Sequence, residues 1–176
     1  MSKPTSPAKS TFPFAFLFGV IMMLELILSY ILALNATQKW YGISINLLNY
    51  LVLPFVFCLM NARQFRNQIN NGYISLGQTI KIGVSLCVLA GLIASIFSVI
   101  FNYLVPEFME EMYRSMSKVM HEQKPPLTEE QIEMGISMTK KFQNPLILIP
   151  LGMVMYSFIG LVHGTIVGLI VRTEKK

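Results

Sequence analysis

The apolar run over residues 146–171 is the feature that most limits how this sequence can fold. It contains no acidic residue, no lysine and no arginine. About 20 apolar residues are enough to cross the hydrocarbon core of a bilayer as a helix, so this run can span it with some tilt. We therefore predict a transmembrane helix over this run.

The composition also indicates a membrane protein. The chain is 53% hydrophobic and only 13% charged, whereas soluble domains carry about 25% charged residues. Its formal net charge is +5, but the basic residues flank the apolar runs instead of clustering with aromatic residues. This placement argues against nucleic acid as a partner and favours the lipid bilayer.

The chain is predicted to form a single membrane domain, 1–176, with four transmembrane helices. A signal peptide is the alternative for the first apolar run, but signal cores have about 7–15 residues and this run is longer and holds Glu25. Pro54 predicts a kink in the second helix. The predicted segments are a polar, disordered or loosely attached leader 1–10, the helices 11–34, 42–60, 79–105 and 146–171, and a basic tail 172–176.

The long polar connection 106–145 is predicted to be an extramembrane helical hairpin. Pro106 suits the first turn of a helix, and the glutamates behind it suit the positive end of the helix dipole. A break at 124–126 is followed by Thr128 and Gln131 at capping-box spacing. The first hairpin helix carries an apolar stripe, which either binds a partner helix or is covered within the hairpin itself: Met109, Met112, Met116 and Met120.

The distribution of basic residues predicts the orientation of the chain. With both termini in the cytoplasm, the inner segments are short and basic, as the positive-inside rule requires. The sequence therefore predicts a multi-pass membrane protein with its N- and C-termini in the cytoplasm. The inner basic residues are Lys3, Lys9, Arg63, Arg66, Lys81, Arg172, Lys175 and Lys176.

Small residues recur every four positions on the third and fourth predicted helices. Such stripes let two helix backbones approach closely, which is what holds helices together in lipid. We predict that these two helices pack through their stripes. The glycines of this helix-packing surface are Gly83, Gly91, Gly160, Gly164 and Gly168.

Glu25 is the first candidate for a functional role, because an ionisable group inside an apolar helix is costly in lipid and usually faces a protein interior. At a rise of about 1.5 Å per residue, each helix places a polar group roughly 10–15 Å from its outer end. The predicted polar layer comprises Glu25, Asn49, Tyr50, Ser95 and Tyr156. It is interpreted either as a structural pin or as a proton or cation path; Glu25 facing lipid is the third alternative.

His163 is interpreted as the donor or acceptor of an interhelical hydrogen bond. With only one cysteine, Cys87, at a comparable level, it falls short of the three or four ligands of a metal site, so no metal is expected. Cys58 and Cys87 are expected to remain reduced on the cytoplasmic side. The sequence has no phosphate-binding glycine loop and no serine elbow, so we expect neither an enzyme nor a cofactor.

Several segments together resemble the domain-of-unknown-function family numbered 4199. They are Gly72-Tyr73-Ile74-Ser75 with Gln78, Lys81 and Gly83, then Pro106-Glu107-Phe108-Met109-Glu110, and the run from Leu127-Thr128-Glu129-Glu130-Gln131-Ile132 to Lys140-Lys141-Phe142. The resemblance implies a small multi-pass protein of the bacterial cytoplasmic (inner) membrane, with four helices and a charged connection before the last one. It brings no known activity, ligand or catalytic residue.

Two functional hypotheses follow. The leading one is a non-enzymatic accessory or assembly protein that acts through helix–helix and hairpin contacts with a membrane-protein partner or a second copy of itself. The alternative is a small transporter or an ion- or proton-path component centred on Glu25. A stable partner without flux would favour the first hypothesis, and a flux that depends on Glu25 would favour the second.

Overall fold

The computed structural model describes residues 6–34, 38–125 and 127–173, and the regular elements in these ranges are helices. One isolated antiparallel bridge joins Ile74 and Thr173. Four of the helices, α1, α2, α3 and α6, are long and apolar enough to cross a membrane. The helices are α1 (Phe12–Ile31), α2 (Lys39–Ile69), α3 (Leu76–Leu104), α4 (Pro106–His121), α5 (Glu129–Phe142) and α6 (Pro145–Val171).

The second helix is longer than the sequence predicted, because it continues past residue 60 to Ile69. Its extension is held by tertiary contacts: Ala62 and Phe65 are buried, and the Asn61 Nδ2 donates a hydrogen bond of 2.9 Å to the Ser10 carbonyl. Asn61, the first polar residue of this extension, is therefore hydrogen-bonded within the protein. The helix was predicted to end at residue 60 because the residues that follow are polar, and composition does not register such distant partners.

The leader is fixed where the structure describes it, contrary to the prediction of a loose segment. Lys9–Thr11 forms a 3-10 turn, and Thr11 is fully buried. The Ser10 hydroxyl also donates to the Asn61 Oδ1 over 3.2 Å. Predictions for residues 1–5, 35–37, 126 and 174–176 lie outside the described residues.

The third helix begins at Leu76, three residues earlier than predicted, because a capping box starts it there. The Ser75 hydroxyl accepts from the Gln78 backbone N–H, and the Gln78 side chain accepts from the Ser75 N–H. Both interactions satisfy backbone donors that a helix start otherwise leaves free. The capping pair therefore marks the start of α3 better than hydropathy does.

The core is formed by side chains from all four long helices. Phe18 of α1 stacks on Phe57 of α2 with ring centroids 5.5 Å apart. A second cluster fills the end where α2 and α6 finish and α3 begins. The first cluster contains Ala15, Phe18, Phe57, Leu86, Cys87, Ala90 and Tyr156, and the second contains Cys58, Ala62, Phe65, Ile74, Ile82, Val167 and Val171.

Helices α4 and α5 form an antiparallel hairpin directly after α3. The Thr139 hydroxyl lies 3.6 Å from the Met116 sulfur, and Met120 packs on Gly135. Two members of the predicted methionine stripe thus face α5 within the hairpin. The stripe is therefore not a free surface along its whole length.

The tip of the hairpin is joined by a polar contact between its two helices. The His121 Nε2 lies 3.0 Å from a carboxylate oxygen of Glu129. The pKa of His121 is raised by its hydrogen bond to the Ser117 carbonyl and by that to Glu129. Both hydrogen bonds favour the charged imidazolium in this solvent-exposed contact between α4 and α5.

Candidate functional site

The glycine stripes of α3 and α6 face each other in the structure. Gly83 lies against the Gly160 backbone, and a Cβ atom placed on Gly164 would lie 2.8 Å from the Cα of Ile80. Gly91 lies under the ring of Tyr156. At Gly83, Gly160 and Gly164 the two backbones are in direct contact, so α3 and α6 pack closely there. The site described next is built beside this pair.

Glu25 and Asn49 form the central pair of the predicted polar layer. The Asn49 Nδ2 donates a hydrogen bond of 2.6 Å to the Glu25 Oε2. The other two oxygens of the pair, Glu25 Oε1 and Asn49 Oδ1, are buried and accept no hydrogen bond from the described residues. Because buried polar atoms are nearly always paired, these two acceptors indicate a site for a donor from outside the protein.

A π-helical turn presents Asn49 to the site. It covers Leu48–Val52 and ends just before Pro54. Proline has no N–H for the carbonyl four residues earlier, here that of Tyr50, and its ring crowds that carbonyl. The wider turn relieves both problems, and such turns recur at functional sites. Pro54, where the sequence predicted a kink, is thus preceded by a local change of helix type.

The other members of the predicted layer lie near this pair without bonding to Glu25. The Tyr156 hydroxyl donates to the Met22 sulfur over 3.7 Å, and the Tyr50 and Tyr156 rings are 6.1 Å apart. Ser95 lies beside Gly152 between α3 and α6. Among the members of the predicted layer, Asn49 is the one whose side chain hydrogen-bonds to the Glu25 carboxyl group.

A cavity of about 790 Å³ extends from the Glu25–Asn49 pair to helix α4. It is enclosed by α1, α2, α3 and α4. The described residues around it include three glutamates but no lysine, arginine or histidine. Its polar lining comprises Glu25, Ser29, Tyr30, Gln38, Tyr41, Asn49, Ser98, Asn102, Glu107, Glu111, Ser115 and Gln143.

The cavity is closed toward the middle of the bundle. Met22 lines it and also packs against the first core cluster, where Phe18 and Phe57 are stacked. Near Glu25, the hydroxyls of Ser29 and Tyr41 share a hydrogen bond that joins α1 to α2. The site is therefore a pocket with a polar base and not a pore through the molecule.

Most of the polar lining was missed by the sequence analysis, although a signal for it existed. Polar lining residues recur four positions apart along a helix, as in Glu25 and Ser29, Ser98 and Asn102, or Glu107 and Glu111. Residues four apart share a helix face. The glutamates of α4 were interpreted only through the helix dipole, so their shared face toward Glu25 was overlooked.

His163 does not form the predicted interhelical hydrogen bond. Its Nδ1 lies 2.8 Å from the Ile159 carbonyl of its own helix, within reach because the two residues are one turn apart. Its Nε2 is buried without a partner among the described residues. Cys58 and Cys87 are buried free thiols. In the ranges 6–34, 38–125 and 127–173, no three His, Cys, Asp or Glu side chains are placed to hold a metal ion.

Comparison with known proteins identifies the family of the chain. Neither the curated proteins nor the solved structures contain a match. The family described as "Protein of unknown function (DUF4199)" matches residues 13–173. This match covers nearly the whole chain and confirms the resemblance carried by the segments around Gly72, Pro106 and Leu127. The chain therefore belongs to the DUF4199 family of proteins of unknown function.

Proposed function

We propose that the protein spans the bacterial cytoplasmic membrane with both termini in the cytoplasm and the α4–α5 hairpin outside. The four long apolar helices support membrane insertion. The basic residues support the orientation, because Arg63, Arg66 and Lys81 lie around the turn between α2 and α3, and Arg172 follows α6. In this orientation the cavity opens in the outer half of the membrane.

We further propose that the protein is non-enzymatic and acts as a small transporter or ion-path component centred on Glu25. The observation behind this proposal is the pair of unpartnered acceptor oxygens, Glu25 Oε1 and Asn49 Oδ1, at the base of an acidic cavity. Ionisable groups within membrane helices commonly mark substrate or ion pathways. A cation or a neutral hydrogen-bond donor would satisfy both oxygens.

The closed inner end of the cavity favours a binding step over an open channel. Stacked Phe18 and Phe57 and the buried Leu86 fill the bundle beyond Met22. A bound species would therefore cross only if this packing rearranged, as in a carrier that opens to each side in turn. The structure is thus proposed to represent the outward-facing state of such a transport cycle.

Flux through proteoliposomes tests this function. We expect the reconstituted protein to conduct protons or potassium ions, recorded with an entrapped pH-sensitive dye and a potassium electrode. Glu25→Gln should reduce this flux by at least about tenfold, the effect of losing one charged hydrogen bond. Glu110→Gln is the matched control, since Glu110 is an exposed glutamate of α4 outside the cavity lining. A flux equal in wild type and Glu25→Gln would contradict the proposal.

An accessory or assembly role is the second candidate, and one surface favours it. Met134, Met138 and Phe142 recur every four residues on α5 and are each about half exposed. Since Met116 and Met120 face α5 within the hairpin, the outer face of α5 is the better candidate surface for a membrane-protein partner or a second copy. Adaptable methionines suit such contacts.

A cysteine at position 138 tests both the orientation and this second candidate. The native thiols of Cys58 and Cys87 are buried, so Met138→Cys provides the reactive site. We expect it to react in intact cells with a maleimide that cannot cross membranes. Labelling only after cell lysis would contradict the outer hairpin. A partner on α5 should protect the thiol in native membranes and not after purification, whereas equal labelling in both states would contradict the accessory role.

A further inference from the structure

We propose that the Glu25 cavity binds an amphipathic primary ammonium compound, one with a protonated –NH₃⁺ head and an apolar body. This inference rests on the proposed function in one respect, namely that the cavity is a binding site. It adds the chemical class of the ligand. Three observations support it: the two free acceptors at the base, the sign of charge around the cavity, and its apolar walls.

The acceptors at the base suit a head group with several N–H donors. Glu25 Oε1 and Asn49 Oδ1 each need a donor, and the Glu25 Oε2 is already occupied by the Asn49 amide. A primary ammonium has three N–H groups and can serve both oxygens at once. A quaternary ammonium has none, so it would leave both unsatisfied.

A divalent metal ion fits the base less well than an ammonium. Calcium takes about six to eight oxygen ligands, and magnesium demands near-octahedral coordination. Beside the two free oxygens, the nearest hydroxyls are already engaged: Ser29 donates to the Glu25 carbonyl over 2.6 Å and shares a hydrogen bond with Tyr41. The Glu25–Asn49 pair offers two free acceptor oxygens, fewer protein ligands than a calcium site uses.

Charge at the hairpin side of the cavity favours the same ligand class. Glu107 and Glu111 lie one turn apart on α4 and line the cavity together with Glu25. The described lining thus carries three carboxyl groups and no lysine, arginine or histidine, a composition that favours cations over anions. Such a cleft raises the local concentration of cations and disfavours anions.

The apolar side chains that line the cavity suit the apolar body of the proposed ligand. Met22, Leu26, Ile45, Met109 and Met112 line the cavity between Glu25 and α4. Methionine side chains adapt to irregular apolar shapes. A volume of about 790 Å³ lies within the range of about 300–1,000 Å³ typical of small-molecule sites. A short alkyl or aryl amine therefore fits both the size and the lining.

Binding of three matched probes tests the inference. The full chain in lipid nanodiscs would be titrated calorimetrically with hexylammonium, hexyltrimethylammonium and hexanol, with empty nanodiscs as the blank. We expect saturable binding of hexylammonium, at least about tenfold tighter than either of the other probes, since charged hydrogen bonds are lost in both. Glu25→Gln should weaken hexylammonium binding by about the same factor, and Glu110→Gln should leave it unchanged.

Each other outcome contradicts a defined part of the inference. If both ammonium probes bind equally and Glu25→Gln abolishes their binding, the primary-ammonium class is overturned, but a cation site at Glu25 remains. Hexanol binding as tight as that of hexylammonium overturns the role of charge. If no probe binds above the blank while Glu25-dependent flux is intact, the ligand class alone is overturned. If both the binding and the flux are absent, the proposed function is overturned as well. If Glu25→Gln does not fold, Glu25→Asp replaces it and should retain the preference for hexylammonium.

Discussion

Replacing Gly164 by leucine is expected to eliminate the folded protein from detergent extracts. A Cβ atom at this position would already lie 2.8 Å from the Ile80 Cα and from the Thr79 carbonyl oxygen, both of them backbone atoms that no rotamer change can move. Leucine adds three further carbons to this conflict, so α3 and α6 would have to separate. Because close backbone packing is a main source of helix association in lipid, little remains to replace it.

The smaller substitution Gly160→Ala introduces the same kind of steric clash between α3 and α6, so that its effect on stability can be measured. Its Cβ would lie 2.7 Å from the Gly83 carbonyl carbon and from the Val84 Cα. Overpacking of this kind costs about 1–3 kcal/mol, which should lower the midpoint of unfolding in sodium dodecyl sulfate titrations followed by circular dichroism. Gly164→Leu should give aggregated or unfolded material on size-exclusion chromatography.

Gly77→Ala is the matched control for both variants. Gly77 also lies in α3, but a Cβ atom there meets no atom within 4 Å. Alanine is the better helix former by about 1 kcal/mol, so this variant should be as stable as the wild type or slightly more so. If Gly160→Ala and Gly77→Ala had the same unfolding midpoint, the α3–α6 contact would not be a main source of stability.

The four long apolar helices could be anticipated from sequence because their length and hydropathy follow the simple rule that lipid imposes on a spanning helix. The glycine stripes were equally visible, since a repeat of four residues fixes one helix face. The end of α2 was not anticipated. Asn61 looks like the start of a loop until Ser10, fifty-one residues away, supplies its hydrogen bonds. Local sequence does not reveal such distant partners.

The candidate site could be predicted only in part, again because local sequence does not reveal contacts between distant residues. Glu25 stands out alone in its apolar helix, and depth counting brought Asn49 to a similar level. The contribution of Glu107 and Glu111 depends on how the hairpin folds back from α3. The turn from Leu104 to Pro106 and the aromatic contacts of Phe101 with Phe108 set that direction, and it cannot be deduced from helix periodicity.

Removing the partner of Glu25 should destabilise the protein more than removing the whole pair. Asn49→Leu leaves the Glu25 carboxyl buried without its donor, at a cost of about 1–3 kcal/mol. The double variant Glu25→Leu/Asn49→Leu replaces both polar groups by apolar ones, which is often neutral or stabilising for buried pairs. Asn102→Leu is the control, since Asn102 lines the same cavity and is not bonded to Glu25. Its expected change is within about 0.5 kcal/mol.

Comparison of Asn49→Leu with the double variant, measured by the same detergent titrations, separates the two interpretations of Glu25. If the double variant is at least as stable as the wild type, the pair does not hold the fold together. The two unsatisfied oxygens of the pair then lower the stability of the unliganded protein and serve a bound ligand, in agreement with the flux and binding predicted above. If the double variant is less stable than Asn49→Leu alone, Glu25 fixes the register of α1 against α2. In that case its free oxygens no longer argue for a ligand, and the outer face of α5 becomes the better-supported functional surface.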